Sequence, residues 1–228
     1  RPPAKPQDDA LLARWALDGT VDGGGTYRGT NAPVFADARL GRALTFDGAS
    51  HAELGTSAAF DRTNAMTLAV WVKLQGDGAI LSRMEKAPGY RGFDLMVADR
   101  RLQAHLSHAW PDDALKVRSR EQFPQNQWLH VIVSYDGSGK ASGVKLHVNG
   151  RARELEVEKD QLRESMATAE PLRLGSRNGE AFFTGQVDDV RLYGRVLPAS
   201  EAVALTWEGY LPILAKSRGT RSDEERAD

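Results

Sequence analysis

Residues 66–74 read MTLAVWVKL, so that Leu68, Val70, Val72 and Leu74 fall on one face and Ala69, Trp71 and Lys73 on the other. This two-residue period is that of a β-strand. Residues 128–136, WLHVIVSYD, repeat it, with Leu129, Val131, Val133 and Tyr135 opposed to His130, Ile132 and Ser134. In residues 144–148, Val144, Leu146 and Val148 alternate with Lys145 and His147. Asp136-Gly137 and Asn149-Gly150 accept the positive backbone angles of tight turns, which predicts a hairpin over residues 144–157. The same alternation, punctuated by Gly, Asp and Asn, predicts strands at 12–17, 43–46, 51–54, 79–83, 93–98, 101–107, 115–118, 172–174, 181–184 and 185–193. One short helix is predicted near the end, where Pro198 and Glu201 occupy a first turn ahead of Ala202, Val203 and Leu205. Many short strands without interleaved helices exclude a parallel βαβ architecture. They predict an all-β, two-sheet antiparallel sandwich closed by one short C-terminal helix.

The pattern also sets expected boundaries. Residues 1–10, rich in proline, read as a linker, residues 11–206 as one domain, and residues 207–228 as an extension towards a downstream domain. Within the extension, Trp207 and Tyr210 belong to an apolar stretch that either packs back or meets a neighbour. A length of 228 residues fits a single β-sandwich with appendages. Thirty basic residues against 31 acidic ones leave a net charge of -1, which argues against nucleic acid as a partner. The absence of cysteine removes disulfides, thiolate metal sites and covalent haem attachment, so no haem is expected on this chain. No apolar run approaches the roughly 18 residues of a membrane span, and no membrane insertion is expected.

Six segments resemble the laminin-G-like, concanavalin A-like jelly-roll family: ARWALDGT, GRALTFDGASHAELG, MTLAVWVKLQG, QWLHVIVSYDGSG, GVKLHVNG and FTGQVDDVRLYGRVLPASEAVAL, in the family's order over residues 12–205. The resemblance implies a jelly-roll sandwich that binds ligands on one sheet or at its loop rim. Residues 85–119 further resemble the jelly-roll of large secreted planctomycete proteins that carry a cytochrome-c-like domain and domains of unknown function. That likeness implies flanking domains as partners and a periplasmic, extracellular or cell-surface location. Asp18 in LDGT and Asp188 in VDDVRLY match positions where similar jelly-rolls hold a structural calcium ion.

The chemistry-bearing residues gather in one stretch. Tyr90, Arg91, Asp94, His105, His108 and Trp110 combine aromatic, guanidinium, carboxylate and imidazole groups in a region the core does not need. Such aromatic faces stack on sugar rings while the polar groups direct hydrogen bonds. The alternative is that Trp110 packs a long loop and Arg91 pairs with an acid. Alternation sets His105, His130 and His147 opposite their apolar neighbours, so all three are expected on non-core faces, either sharing one sheet as ligand or metal contacts or scattered over the surface. No strand bears the paired carboxylates of a glycoside hydrolase, and no GxSxG elbow occurs. The expected function is therefore a non-catalytic binding module, with a polysaccharide, acidic or sulfated, as ligand. Interdomain docking is the rival, and glycan degradation a lesser one.

Overall fold

The computed structural model describes residues 10–222, apart from 22, 24, 57 and 58, together with residue 226. The expected linker at residues 1–9 lies outside them. The early strands are β1 (Leu11–Trp15), β2 (Thr26–Arg28), β3 (Val34–Ala38), β4 (Gly41–Asp47) and β5 (His51–Glu53). The central ones are β6 (Met66–Leu74), β7 (Gly78–Met84), β8 (Gly92–Ala98), β9 (Arg101–Ala109), β10 (Asp113–Ser119) and β11 (Trp128–Tyr135). The last are β12 (Val144–Val148), β13 (Arg151–Arg153), β14 (Leu155–Asp160), β15 (Arg173–Leu174) and β16 (Thr184–Tyr193), followed by helix α1 (Ala199–Ala215).

Among the described residues the strands form two antiparallel sheets. The first runs β13-β12-β11-β6-β16-β4-β3, with β1 also on β16, and the second runs β14-β10-β9-β8-β7-β15-β5-β2. One continuous apolar core lies between them, built from Leu68, Val70, Val72 and Leu74 of β6, Leu129, Val131 and Val133 of β11, and Leu102, Ala104 and Leu106 of β9. The predicted alternation is thus realised, and the chain is a jelly-roll sandwich.

The opposite face of β6 and β11 is apolar as well and needs its own cover. α1 supplies it. Leu205 and Ala202 pack on Ala69, Ile132 and Tyr193, while Tyr210 closes over Trp71 and Trp128. His130 stacks on Trp71 with centroids 4.7 Å apart, and Tyr210 meets the same indole edge-on at 5.7 Å. His130 Nδ1 lies 2.8 Å from Thr206 Oγ1, whose hydroxyl donates to the Ala202 carbonyl. Burial pushes the His130 pKa down to about 3, so a neutral ring is sealed beneath the helix. Gly209 makes the approach possible, since a Cβ there would stand 2.2 Å from Trp71 Cζ2.

Four expectations change. The helix runs on to Ala215, so Trp207 and Tyr210 belong to it rather than to an extension beyond it, because the face that carries Thr206, Gly209 and Tyr210 continues to find apolar sheet. The hairpin on Asn149-Gly150 ends with β13, and Val157 lies in β14, which pairs with β10 in the other sheet. Residues 181–184 form no separate strand, as Ala181 has φ 45° and regular pairing starts at Thr184. Strands β2 and β3, short and largely exposed, escaped the periodicity.

Replacing Gly209 with alanine forces a side chain into the Trp71 ring. Overpacking of this kind costs about 1–3 kcal/mol. Gly209→Ala is expected to lower the unfolding free energy by that amount, read as a lower denaturant midpoint at unchanged slope, while far-ultraviolet circular dichroism retains the β spectrum. An unchanged midpoint would show that the helix does not depend on this contact.

Candidate functional site

Among the described residues no α-helix lies over the outer face of the second sheet. Its central strands place side chains in direct register across the sheet: Arg173 of β15 faces Ser82 of β7, Ser82 faces Asp94 of β8, Asp94 faces His105 of β9, and His105 faces Lys116 of β10. A polar row therefore crosses this face, since residues opposite one another on neighbouring strands share a side.

Over β8, β9 and β10 the row opens into a groove of about 320 Å³, with Gln103, His105 and Ser107 on its floor, Tyr90 and Trp110 as aromatic sides, and Lys116 and Arg177 at its margins. Trp110 meets His105 edge-on with centroids 6.0 Å apart, and Lys116 Nζ sits 5.9 Å from the Trp110 ring centre. Tyr90, in the left-handed backbone region at φ 46°, lies with its ring 5.2 Å from the Arg177 guanidinium carbon. Such contacts hold both aromatic rings in place at modest energy.

Asp94 does not line the groove but anchors it from below. Its Oδ1 lies 2.6 Å from His105 Nδ1, and its Oδ2 accepts from Arg177 Nε at 2.6 Å. Burial opposes ionisation of this carboxyl, but the His105 and Arg177 charges and hydrogen bonds outweigh it and hold the pKa below the ordinary range. One buried carboxylate thereby orients both an imidazole and a guanidinium. With Nδ1 so engaged, among the described residues His105 Nε2 has no protein hydrogen bond and Ser107 Oγ is buried without a partner. Lys116 is matched by Glu158 at 2.8 Å, as Arg177 is by Asp94. Asp94 is shared with His105 and Glu158 with Arg118, while Met84 and Met96 complete the lining, so the groove combines paired cations with aromatic and apolar surface.

Of the sequence-predicted residues, Tyr90, His105 and Trp110 come together on its walls and floor. Arg91 stands half-buried to one side, and His108 is turned away, its Nδ1 donating to the Ser165 carbonyl at 2.6 Å. His130 and His147 lie in the first sheet, not beside His105. His130 is sealed under α1, and His147, beside Ile132, is half-buried with its pKa lowered by that burial. Three histidines on one sheet face are therefore ruled out, because alternation assigns a face but not a sheet. Among the described residues no cluster of three or more His, Cys, Asp or Glu suits a metal ion. Arg177 and Lys116 were missed. Arg177 sits in a loop after β15 with no periodic signal, whereas Lys116 was legible as the non-core residue between Leu115 and Val117.

A second polar site lies in the first sheet. Asp188 is fully buried, and its Oδ2 accepts from the Leu40 amide at 3.3 Å while Oδ1 has no hydrogen bond. Burial first, with Asp189 and Asp18 adding repulsion, pushes its pKa up to about 8. Asp18 accepts from the Arg42 amide at 2.7 Å, and Gly41 leaves room for it, since a Cβ there would lie 1.9 Å from Asp18 Oδ1. Neighbouring Asp189 is instead spent on Arg14 and Arg191, at 2.6 Å each.

A laminin G-type family model, described as the Concanavalin A-like lectin/glucanases superfamily, matches residues 46–203. The chain belongs to this superfamily. The superfamily's fold also recurs in solved structures at low identity. Domain 4 of the extracellular GH43 arabinanase AbnA from Geobacillus stearothermophilus, crystallised with arabinotriose, is 21% identical with a TM-score of 0.66, over 86% of this chain and 98% of that domain. The binding domain of Paraclostridial Mosquitocidal Protein 1 is 13% identical with a TM-score of 0.65, over 90% and 53% respectively. Botulinum neurotoxin type C, whose cell entry depends on two ganglioside molecules, is 11% identical with a TM-score of 0.63, over 89% and 52%. The chain spans about half the length of these two toxin chains. Comparison with curated proteins gives no match.

The raised Asp188 pKa carries a direction for stability. The folded carboxyl keeps its proton to about pH 8, whereas the unfolded one loses it near 3.8. The native state therefore binds more protons between these values, and stability falls as pH rises across them. In a chelating buffer, Asp188→Asn is expected to remove a decline of up to about 1.4 kcal/mol per pH unit between pH 5 and pH 8. Parallel wild-type and variant curves in chemical denaturation would contradict this.

Proposed function

We propose that this domain is a non-catalytic carbohydrate-binding module whose sugar lies in the groove between Tyr90 and Trp110. The arrangement that carries the reading is a pair of fixed aromatic sides around a floor of Gln103, His105 and Ser107, with His105 Nε2 lacking a protein partner among the described residues. A sugar ring offers apolar C–H faces to the aromatic rings and hydroxyls to such a floor. Because Lys116 and Arg177 are already matched by acids, the groove favours a neutral sugar over the acidic or sulfated one expected from sequence. None of the residues lining it is Asp or Glu, and glycoside hydrolysis generally requires two carboxylates facing the substrate. The complex of the AbnA domain with arabinotriose supports the same reading. On a glycan array spanning neutral and sulfated polysaccharides, the isolated domain is expected to retain neutral ligands, with affinity reduced about tenfold by Trp110→Ala. Silence from folded protein, or selective retention of sulfated chains, would overturn it.

A structural calcium ion held by Asp18 and Asp188 fits the unpartnered Asp188 Oδ1 and the space at Gly41. Calcium prefers six to eight oxygens, so two carboxylates would leave carbonyls and water to complete the set. Bound ion would also replace the proton that keeps Asp188 neutral. Calcium is expected to raise the melting temperature relative to chelator, and Asp188→Asn to abolish the rise. An equal response in the variant would reject the site.

A further inference from the structure

The described residues include a second groove, on the other side of the sandwich. Val203, Trp207, Tyr210 and Leu214 of α1 form one wall and the Asn149-Gly150-Arg151 turn the other, around a hollow of about 450 Å³. These helix positions, three, four and seven apart, share one face. Trp207 and Leu214 are 40% and 51% exposed, although both are large and apolar. The helix therefore uses one face to cover the sheet and leaves an apolar strip beside it open to solvent.

The charges around this strip differ from those of the sugar groove. Among the described residues Arg151 and Arg221 line it, no Asp or Glu does, and neither arginine is paired with a carboxylate. Arg221 instead donates to the carbonyls of Leu214 and Lys216. Past Ile213 and Arg221 the hollow continues into a second one of about 690 Å³, reaching the turn between β3 and β4, where Asp37 is the one acid on the wall among the described residues. The result is an elongated trough, apolar at its base and cationic at its edge, suited to an extended chain rather than a compact molecule.

We infer that this trough is a docking site for an acidic peptide segment carrying apolar side chains. Aliphatic or aromatic residues of the partner fill the hollow beside Trp207 and Leu214, while its carboxylates meet Arg151 and Arg221. Apolar anchors set the affinity of such a contact, and the charge pattern selects the partner and speeds encounter.

The test is fluorescence anisotropy with a labelled synthetic peptide that alternates Glu with Leu and Phe, against a counterpart with Lys in place of Glu. The acidic peptide is expected to bind at least about tenfold more tightly, a difference of roughly 1.4 kcal/mol, and to weaken as salt is raised. Arg151→Glu should reverse the preference, and Leu214→Asp should abolish binding. Both sites are solvent-exposed, and unchanged melting temperatures would confirm that the variants fold. Equal binding of the two peptides, or acidic-peptide binding that survives both substitutions, overturns the inference. Glycan retention by Arg151→Glu should match wild type, so failure at either site is read separately.

Discussion

A β-strand turns alternate side chains to opposite sides, and in β6 and β11 both sides are apolar. That constraint shapes the whole molecule. One side joins the layer between the sheets, as any sandwich requires. The other carries Ala69, Trp71 and Ile132 and is tolerable in water only beneath a lid. α1 is that lid, and its seat is specific: Gly209 admits the Trp71 indole, Tyr210 closes its edge, and the neutral His130 ring fills the remaining space. The helix covers the first sheet, and among the described residues no α-helix lies on the second, whose largely buried polar row meets solvent at the groove.

The same economy is visible in how charge is handled. Asp94 is buried but ionised, because two basic partners reach it. Asp188 is buried with backbone amides rather than basic side chains to bond it, and retains its proton. The irregularity of β16 on β6 between Asp188 and Arg191 lets consecutive acids serve different neighbourhoods, Asp188 facing the β3–β4 turn and Asp189 the arginines of β1 and β16. The carboxyls of Asp94 and Asp188 thus shift in opposite directions a few strands apart, and desolvation against pairing decides each case.

Much of this was legible in the sequence where period and burial coincide. The strands at 66–74 and 128–136 announce both their faces, and the Asn149-Gly150 turn announces its hairpin. What failed to show was pairing between distant segments. Nothing in LEVEKD at residues 155–160 reveals that the chain has crossed to the other sheet. Likewise His105, His130 and His147 sit correctly on non-core faces, yet which sheet each belongs to is a property of topology. Tyr90 and Trp110 were recognisable from their chemistry alone, whereas Arg177 enters the site from a loop some eighty residues downstream of Asp94, a separation of 83.

Because the helix lies on one sheet and the groove between Tyr90 and Trp110 on the other, the sandwich core separates their surroundings. Chain that continues from Ala215 leaves on the helix side. The two surfaces point away from one another, so a body resting against the helix leaves the groove unobstructed.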